Sequence, residues 1–214
     1  MSDVVLYTVL FGARGSYRTP PEIPFDFRIF TDNAEVMKKE PRAIYAPLLV
    51  PGDIPRSVRL VKAMPQLFLP GYKTWIWQDN CFDIKLGADL EAMVSAAGQF
   101  GAFRHPQRDC IYAEAKICID WNLDDPDVIA RQMKKYRDEY RHPEKDGLAA
   151  GGLLVRQNNP KICQFNVEWW TEIALHSRRD QLSLNVVARH IGLPITYLAL
   201  LSENPWFTYL GYPR

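Results

Sequence analysis

Hydrophobic and polar positions along the chain fall into short continuous apolar runs and longer stripes at helical spacing, separated by Gly, Pro, Asn and Asp. Val4 to Phe11 is an unbroken apolar run with β-branched residues, closed by Gly12, and predicts a buried first strand. Phe25 to Phe30 predicts a second strand that ends in Thr31-Asp32-Asn33, and Ala43 to Val50 a short third extended segment. Pro55 opens a helix with Asp53 near its start. On it Arg56, Arg59 and Lys62 line one side while Val58 and Val61 lie on another. The stretch 62–80 reads as a helix end, a loop, a buried aromatic strand from Lys73 to Gln78, and an acid, Asp79, at that strand's carboxyl end.

The second half alternates in the same way. Residues 89–97 read as a helix, and Phe100 to Phe103 as a strand ending in Arg104-His105-Pro106. Asp109 is placed to cap a helix from Ile111 to Trp121, and Asp125-Pro126 begins another, whose apolar stripe is Ile129, Met133, Tyr136 and Tyr140. A glycine-rich segment, Asp146 to Gly152, leads into a strand at Leu153 to Arg156; small residues there permit close approach by a ligand or a neighbouring strand. Asn159-Pro160 opens a helix that buries Ile162, Phe165, Trp169 and Ile173 and ends at His176-Ser177. The last helical run passes Val186, Val187 and His190 and is stopped by Gly192 and Pro194. The tail carries Trp206, Phe207, Tyr209 and Tyr212, which close a core or stack on a sugar.

Strands alternating with helices predict an α/β fold, and 214 residues suffice for one domain over the whole chain, 1–214. The formal charge of +1 provides no global field for nucleic acid or an anionic membrane. Cys81, Cys110, Cys118 and Cys163 show neither C-x-x-C spacing nor scaffold density, and no apolar run approaches the ~20 residues of a membrane span. The expectation is a soluble, cytoplasmic protein with reduced thiols.

In open α/β sheets ligands collect at the carboxyl ends of the strands, so Asp32, Asp79 and His105 all stand where chemistry is expected, with Asp79 foremost. The Arg56, Arg59, Lys62 side reads first as a solvated basic face, and second as a surface that meets an anion. Ser177 followed three residues later by Asp180 has the spacing of a capping box, which favours a structural role for Asp180.

Several segments, taken in order, resemble a glycosyltransferase-like family, formerly a domain of unknown function, that includes plant mucilage and turgor-regulation proteins and many bacterial members. The segments are YTVLFG at 7–12, FTDN at 30–33, KAMPQLFLPGYKTWIWQDN at 62–80, HPQRDCIYAEA at 105–115, DGLAAGGLLVRQNN at 146–159 and SRRDQLSLNVV at 177–187. The resemblance implies a GT-A-like, Rossmann-like nucleotide-sugar-binding sandwich with a mixed, mostly parallel sheet. It also implies transfer of a sugar from a nucleoside diphosphate donor, UDP being the expected one, to a glycan or other hydroxyl acceptor. Carried over by position, Thr8, Gly12 and Asp32 would hold the nucleoside, while Lys62 and Arg59 would meet the diphosphate. Asp79 would stand in the place of a D-x-D motif and bind Mn²⁺ or Mg²⁺. His105, Arg108 and Glu114 would line the pocket, and Asp180 with Gln181 would orient the acceptor or accept its proton.

The chain departs from that pattern in three places. Asn80 follows Asp79, and along an extended strand at ~3.3 Å per residue Asp83 would lie about 13 Å away. Gln66 stands where the family usually has histidine, and Ala150-Gly151-Gly152 where it often has E-T-G. A non-catalytic nucleotide-sugar or glycan-binding protein is the alternative. A nucleotidyltransferase is a weaker match, because GARGSYR is a poor triphosphate loop.

Overall fold

The computed structural model describes residues 2–12 and 20–211; the predicted loop from Ala13 to Thr19 and Tyr212 of the tail lie outside them. Seven strands form one sheet: β1 (Val4–Leu10), β2 (Asp26–Thr31), β3 (Ala43–Tyr45), β4 (Thr74–Gln78), β6 (Phe100–Arg104), β7 (Ala149–Gln157) and β8 (Thr196–Leu200), in the order β3-β2-β1-β4-β7-β6-β8. All neighbours pair in parallel except β7, which runs antiparallel to both β4 and β6. The expected mixed, mostly parallel sheet is therefore what forms. The carboxyl ends of β1, β2, β4 and β6 reach one edge, and β7 contributes its amino end to that same edge.

Side-chain alternation sends Tyr7, Val9, Trp75 and Trp77 to one face, where α2 (Ile54–Ala63), α7 (Pro160–Leu175) and α8 (Gln181–His190) pack on them through Val61, Trp169 and Val187. Leu6, Leu10, Ile29 and Ile76 go to the other face, covered by α1 (Ala34–Lys39), α4 (Leu90–Ala96) and a two-stranded sheet of β5 (Phe82–Ile84) with β9 (Phe207–Tyr209). A short helix, α3 (Pro65–Phe68), follows α2, while α5 (Ile111–Asp120) and α6 (Pro126–Asp138) pack beside α8.

Several predicted elements change at their ends. Asp53, Asp89, Asp125 and Asn159 do cap their helices, each side chain accepting from backbone N–H groups of the first turn. Asp109 does not: the residue before α5 is Cys110, without a side-chain cap. The third extended segment is a strand only over Ala43–Tyr45, and β7 begins four residues before Leu153, drawing the glycines into the strand. Opposite them the ladder to β6 breaks, since Ala102 pairs with Leu154 but Phe103 with Ala150, so Gly151 to Leu153 bulge from that ladder. The chain does not stay extended after Asp79 either. It turns there, Phe82 N donating to Asp79 O at 3.1 Å, and Asp83 enters β5.

Of the tail aromatics, Phe207 is in the core and Trp206 packs edge-on to Phe103, while Tyr209 is about half exposed against Phe82. No helix among the described residues is long and apolar enough to cross a membrane.

Candidate functional site

Lys62 sits in the last turn of α2 and is almost fully buried, with its ammonium delivered to the carboxyl edge of β4. Its Nζ bonds to Asp180 Oδ2 and lies 3.8 Å from Asp79 Oδ1. The ammonium also stands within cation–π reach of two indoles, 5.4 Å from the Trp77 ring centroid and 5.8 Å from that of Trp169. One turn earlier on α2, Arg59 Nε stands 3.6 Å from Asp180 Oδ1. Four sequence-predicted residues, Arg59, Lys62, Asp79 and Asp180, are thus one cluster, although Lys62 and Asp180 are 118 positions apart in the chain.

Neighbouring groups fix each member. Trp77 Nε1 donates to Asp79 Oδ1 at 2.8 Å, Asp79 N to Gly152 O at 2.8 Å, and Trp169 Nε1 to Asp180 O at 3.0 Å. Beneath Lys62, the fully buried Arg156 guanidinium donates to the carbonyls of Lys62 and Ala63, to Asn166 Oδ1 and to the Tyr7 hydroxyl. Tyr7 in turn donates to Lys62 O at 2.8 Å, and burial pushes its phenol up to about 12, so it remains a donor. Asn166 reaches Gln66 Oε1 at 2.8 Å, which gives the glutamine in the family's histidine position a place in this scaffold. The carboxyl end of α2, and Lys62 with it, is held by a cation where the helix dipole is negative.

The glycines of β7 owe their place to this cluster. A Cβ on Gly151 would lie 3.1 Å from Lys62 Nζ and 3.2 Å from Asp180 Oδ2, and one on Gly152 would be 2.6 Å from the Phe82 ring. Close approach was expected there, and what approaches is an ion pair and a ring.

The two acids are tuned in opposite directions. Burial alone would raise Asp180, but Lys62 and Arg59 outweigh it and hold its carboxyl well below the ordinary range. Burial raises Asp79, which Lys62 only partly offsets and the Asp180 charge reinforces. Asp180 is therefore a firmly ionised partner of a cation, and Asp79 a carboxylate that lacks a full counter-charge.

Two expectations fall here. The capping box does not form: Asp180 itself stands at the N-cap position of α8, its backbone is already helical (φ −55°, ψ −30°), no capping bond forms from its side chain, and its carboxylate turns to Lys62. Ser177 accepts from Arg179 N instead and donates to Asp124 Oδ2. The basic side of α2 is not a solvated face either, since Arg56 spends its guanidinium on Asp53 and on the carbonyls of Ile173 and His176. Arg56 is structural; Arg59 and Lys62 are not its equivalents.

The other expected residues lie apart. Asp32 accepts from Gly12 N with both oxygens, at 3.0 and 3.2 Å, closing the turn after β1, and Gly12 needs its φ of +77° there. His105 and Arg108 stand beyond β7, at the end of β6. His105 Nδ1 accepts from Gln107 N and Arg108 N, and Arg108 Nε reaches the buried Glu114 at 2.5 Å. Burial first, then Arg108, lowers the His105 pKa. Gln181 Nε2, next to Asp180, is buried with no hydrogen-bond partner among the described residues. Thr8 faces the opposite side of the sheet from Lys62, in a cleft shared with Gln78.

A divalent ion at Asp79 finds a poor donor set. Among the described residues no group of three or more His, Cys, Asp or Glu side chains could hold one. Asp79 Oδ1 is already engaged by Trp77 with an ammonium beside it, and the nearest second carboxylate, Asp180, is bound to Lys62 and Arg59. Hard cations need oxygens that are free of such competition, so these residues do not fit a resident metal. Spacing missed the part played by Trp77, Trp169 and Arg156. The first two lay in view as buried aromatics, but only the fold shows that both stand beside one cation.

Compared with protein-family models, residues 53–203 match the TOD1/MUCI70, glycosyltransferase-like domain, a span that takes in Arg59, Lys62, Asp79, Gly151 and Asp180. No curated protein matches the chain.

Proposed function

The chain belongs to the TOD1/MUCI70 glycosyltransferase-like domain family, and from that premise we propose that it transfers a sugar from a nucleoside diphosphate donor, UDP being the one expected, to a hydroxyl of a glycan or similar acceptor. The observation that carries this reading is the buried Lys62 ammonium at the carboxyl edge of the sheet, with Arg59 beside it and two carboxylates around it.

In a departing diphosphate, negative charge grows on the bridging oxygen, and fixed cations in a site shielded from water offset it far better than water does. Lys62 and Arg59 supply that charge, and the pre-positioning of Lys62 by Arg156, Tyr7 and Trp77 lowers the cost of reorganisation. When phosphates draw the ammonium toward themselves, Asp180 exchanges a cation for the acceptor, whose hydroxyl it then orients through a hydrogen bond. Because the residues around Asp79 do not suit a metal, charge neutralisation is assigned to the two side chains. A binding protein without turnover is the second reading, favoured by the absence of an acid at Ala150 to Gly152.

Thermal shift with UDP-sugars tests the donor. A ligand at 100 times its Kd adds about 2.7 kcal/mol, or roughly 5–10 °C for a chain of this size. The shift is expected to be unchanged by EDTA or Mn²⁺ and lost in Lys62→Ala. A shift that requires Mn²⁺ would return Asp79 to metal binding, and a shift without release of UDP in the presence of acceptors would leave the binding reading.

A further inference from the structure

Asp180 is engaged at both oxygens, by Lys62 and Arg59, but Asp79 is not. Asp79 Oδ1 takes the Trp77 indole and faces the ammonium, while Oδ2 has no hydrogen-bond partner among the described residues, and the side chain is 26% exposed. Beside that oxygen stand two rings. The point that a Cβ on Gly152 would occupy is 3.5 Å from Asp79 Oδ2 and 2.6 Å from the Phe82 ring, so oxygen and ring border the same small space. Phe82 pairs across the strands with Tyr209, and their ring centroids are 5.3 Å apart. Phe82 is 3% exposed and Tyr209 54%, so the outer ring of the pair is the one open to solvent.

The backbone fixes this arrangement. Phe82 N donates to Asp79 O, and Leu210 N to Cys81 O at 2.9 Å, which ties β9 to the turn that carries Asp79. Burial first, then Cys81 and Asp79, raises the Tyr209 phenol, as befits a ring close to that carboxylate. Tyr209 also lies beyond residues 53–203, so the family match gives it no role.

We infer that Tyr209 is the platform for the sugar being transferred, that Asp79 Oδ2 accepts from its hydroxyls, and that the pair restricts the donor to a neutral pyranose. A pyranose turns C–H groups to its faces and hydroxyls to its rim. The C–H face gains by leaving water against an aromatic ring, whereas each hydroxyl that leaves water needs a partner. Tyr209 meets the first need and Asp79 the second. The side follows from the neighbours: with the diphosphate at Lys62 and the acceptor hydroxyl at Asp180, the sugar is left the Asp79 side, 3.8 Å from the ammonium. A uronic acid would bring a further carboxylate to a place where one ammonium is already shared by two. The assignment rests on the donor proposed above.

Isothermal titration with UDP, UDP-glucose, UDP-galactose and UDP-glucuronate separates the two ideas. The better of the two neutral donors is expected to bind about 5- to 30-fold more tightly than UDP. UDP-glucuronate should bind at least ~10-fold more weakly than that donor. Tyr209→Ala should bring the neutral donor down to the affinity of UDP and leave UDP itself unchanged, a split that a merely structural role would not produce. Tyr209→Phe keeps the ring and should keep the preference. Asp79→Asn removes the charge and should narrow the discrimination against glucuronate to less than ~3-fold. Neutral donors no tighter than UDP, glucuronate bound as well as they are, or UDP and UDP-sugar weakened alike in Tyr209→Ala overturns the subsite and leaves the donor standing. UDP affinity that ignores Lys62→Ala overturns the donor reading, and the subsite with it.

Discussion

Replacing Asp180 with Asn discriminates most sharply between the structure and the capping role that spacing suggests. The substitution keeps the shape but removes the charge that faces a Lys62 ammonium only 3% exposed, leaving Asp79 Oδ1 at 3.8 Å and an amide oxygen as its partners. Breaking a buried ion pair from one side costs roughly 3–5 kcal/mol; with Asp79 as a partial substitute the lower end applies, about 3 kcal/mol. For a domain of this size that is a fall of roughly 6–12 °C in melting temperature, against about 1–4 °C for a lost helix-end charge of ~0.5–1 kcal/mol. The pH dependence adds a second signature. The folded-state pKa of Asp180 is depressed, so its stabilisation is complete above the unfolded value near ~3.9 and is lost as pH falls through the lower folded value. The gap between parent and variant should be constant from about pH 5 to 8 and close below about pH 4. Calorimetry over that range measures it, with the double variant Lys62→Met, Asp180→Leu as control, since replacing both charges with apolar groups should recover most of the stability and abolish diphosphate binding. A drop under about 2 °C with no pH dependence would show that Asp180 is not Lys62's partner.

Asp79→Asn should act in the opposite sense. Its folded pKa is raised, so the ionised group destabilises the ligand-free protein above the unfolded value, and the variant should melt higher at pH 7, with the gain vanishing below about pH 4; a lower melting temperature at pH 7 would contradict the uncompensated carboxylate. Gly152→Ala puts a Cβ 2.6 Å from the Phe82 ring, and overpacking of this kind should cost about 1–3 kcal/mol, read as a shift in the urea midpoint with unchanged slope.

What was legible from the sequence follows the range of the forces involved. The runs at Val4–Leu10 and Thr74–Gln78, buried at all positions but Val4 and rich in aromatic and β-branched residues, specify interior strands by themselves, and Asp79 at a strand end needs no more than that. The shortest elements were hidden: β5 and β9 are of three residues each, and the turn after Asp79 that creates β5 depends on contacts with β9, well over a hundred positions away. At Ser177 to Asp180 local chemistry permitted a capping box, and a cation from α2 outcompeted it for the carboxylate. Glycines at 151 and 152 looked like the end of a loop because glycine weakens a strand, yet a strand persists there, since any larger side chain would collide with the ion pair or Phe82. Thr8 and Lys62 could be named for one ligand but not assigned to opposite faces until the register of β1 against β4 was known.

The indole of Trp169 lies within reach of two cations, the Lys62 ammonium at 5.8 Å from its centroid and the Arg156 guanidinium at 5.7 Å, and its N–H is tied to the backbone of Asp180. Arg156 is locked by four acceptors, whereas Lys62 is the charge a phosphate would draw away. Any displacement of the ammonium therefore changes the electric field at the ring through one charge, while the contribution of Arg156 stays constant as a reference. The chain carries its own optical field gauge at the site: the difference in tryptophan emission between the parent and Trp169→Phe reports the position of a single charge, without a label and without turnover.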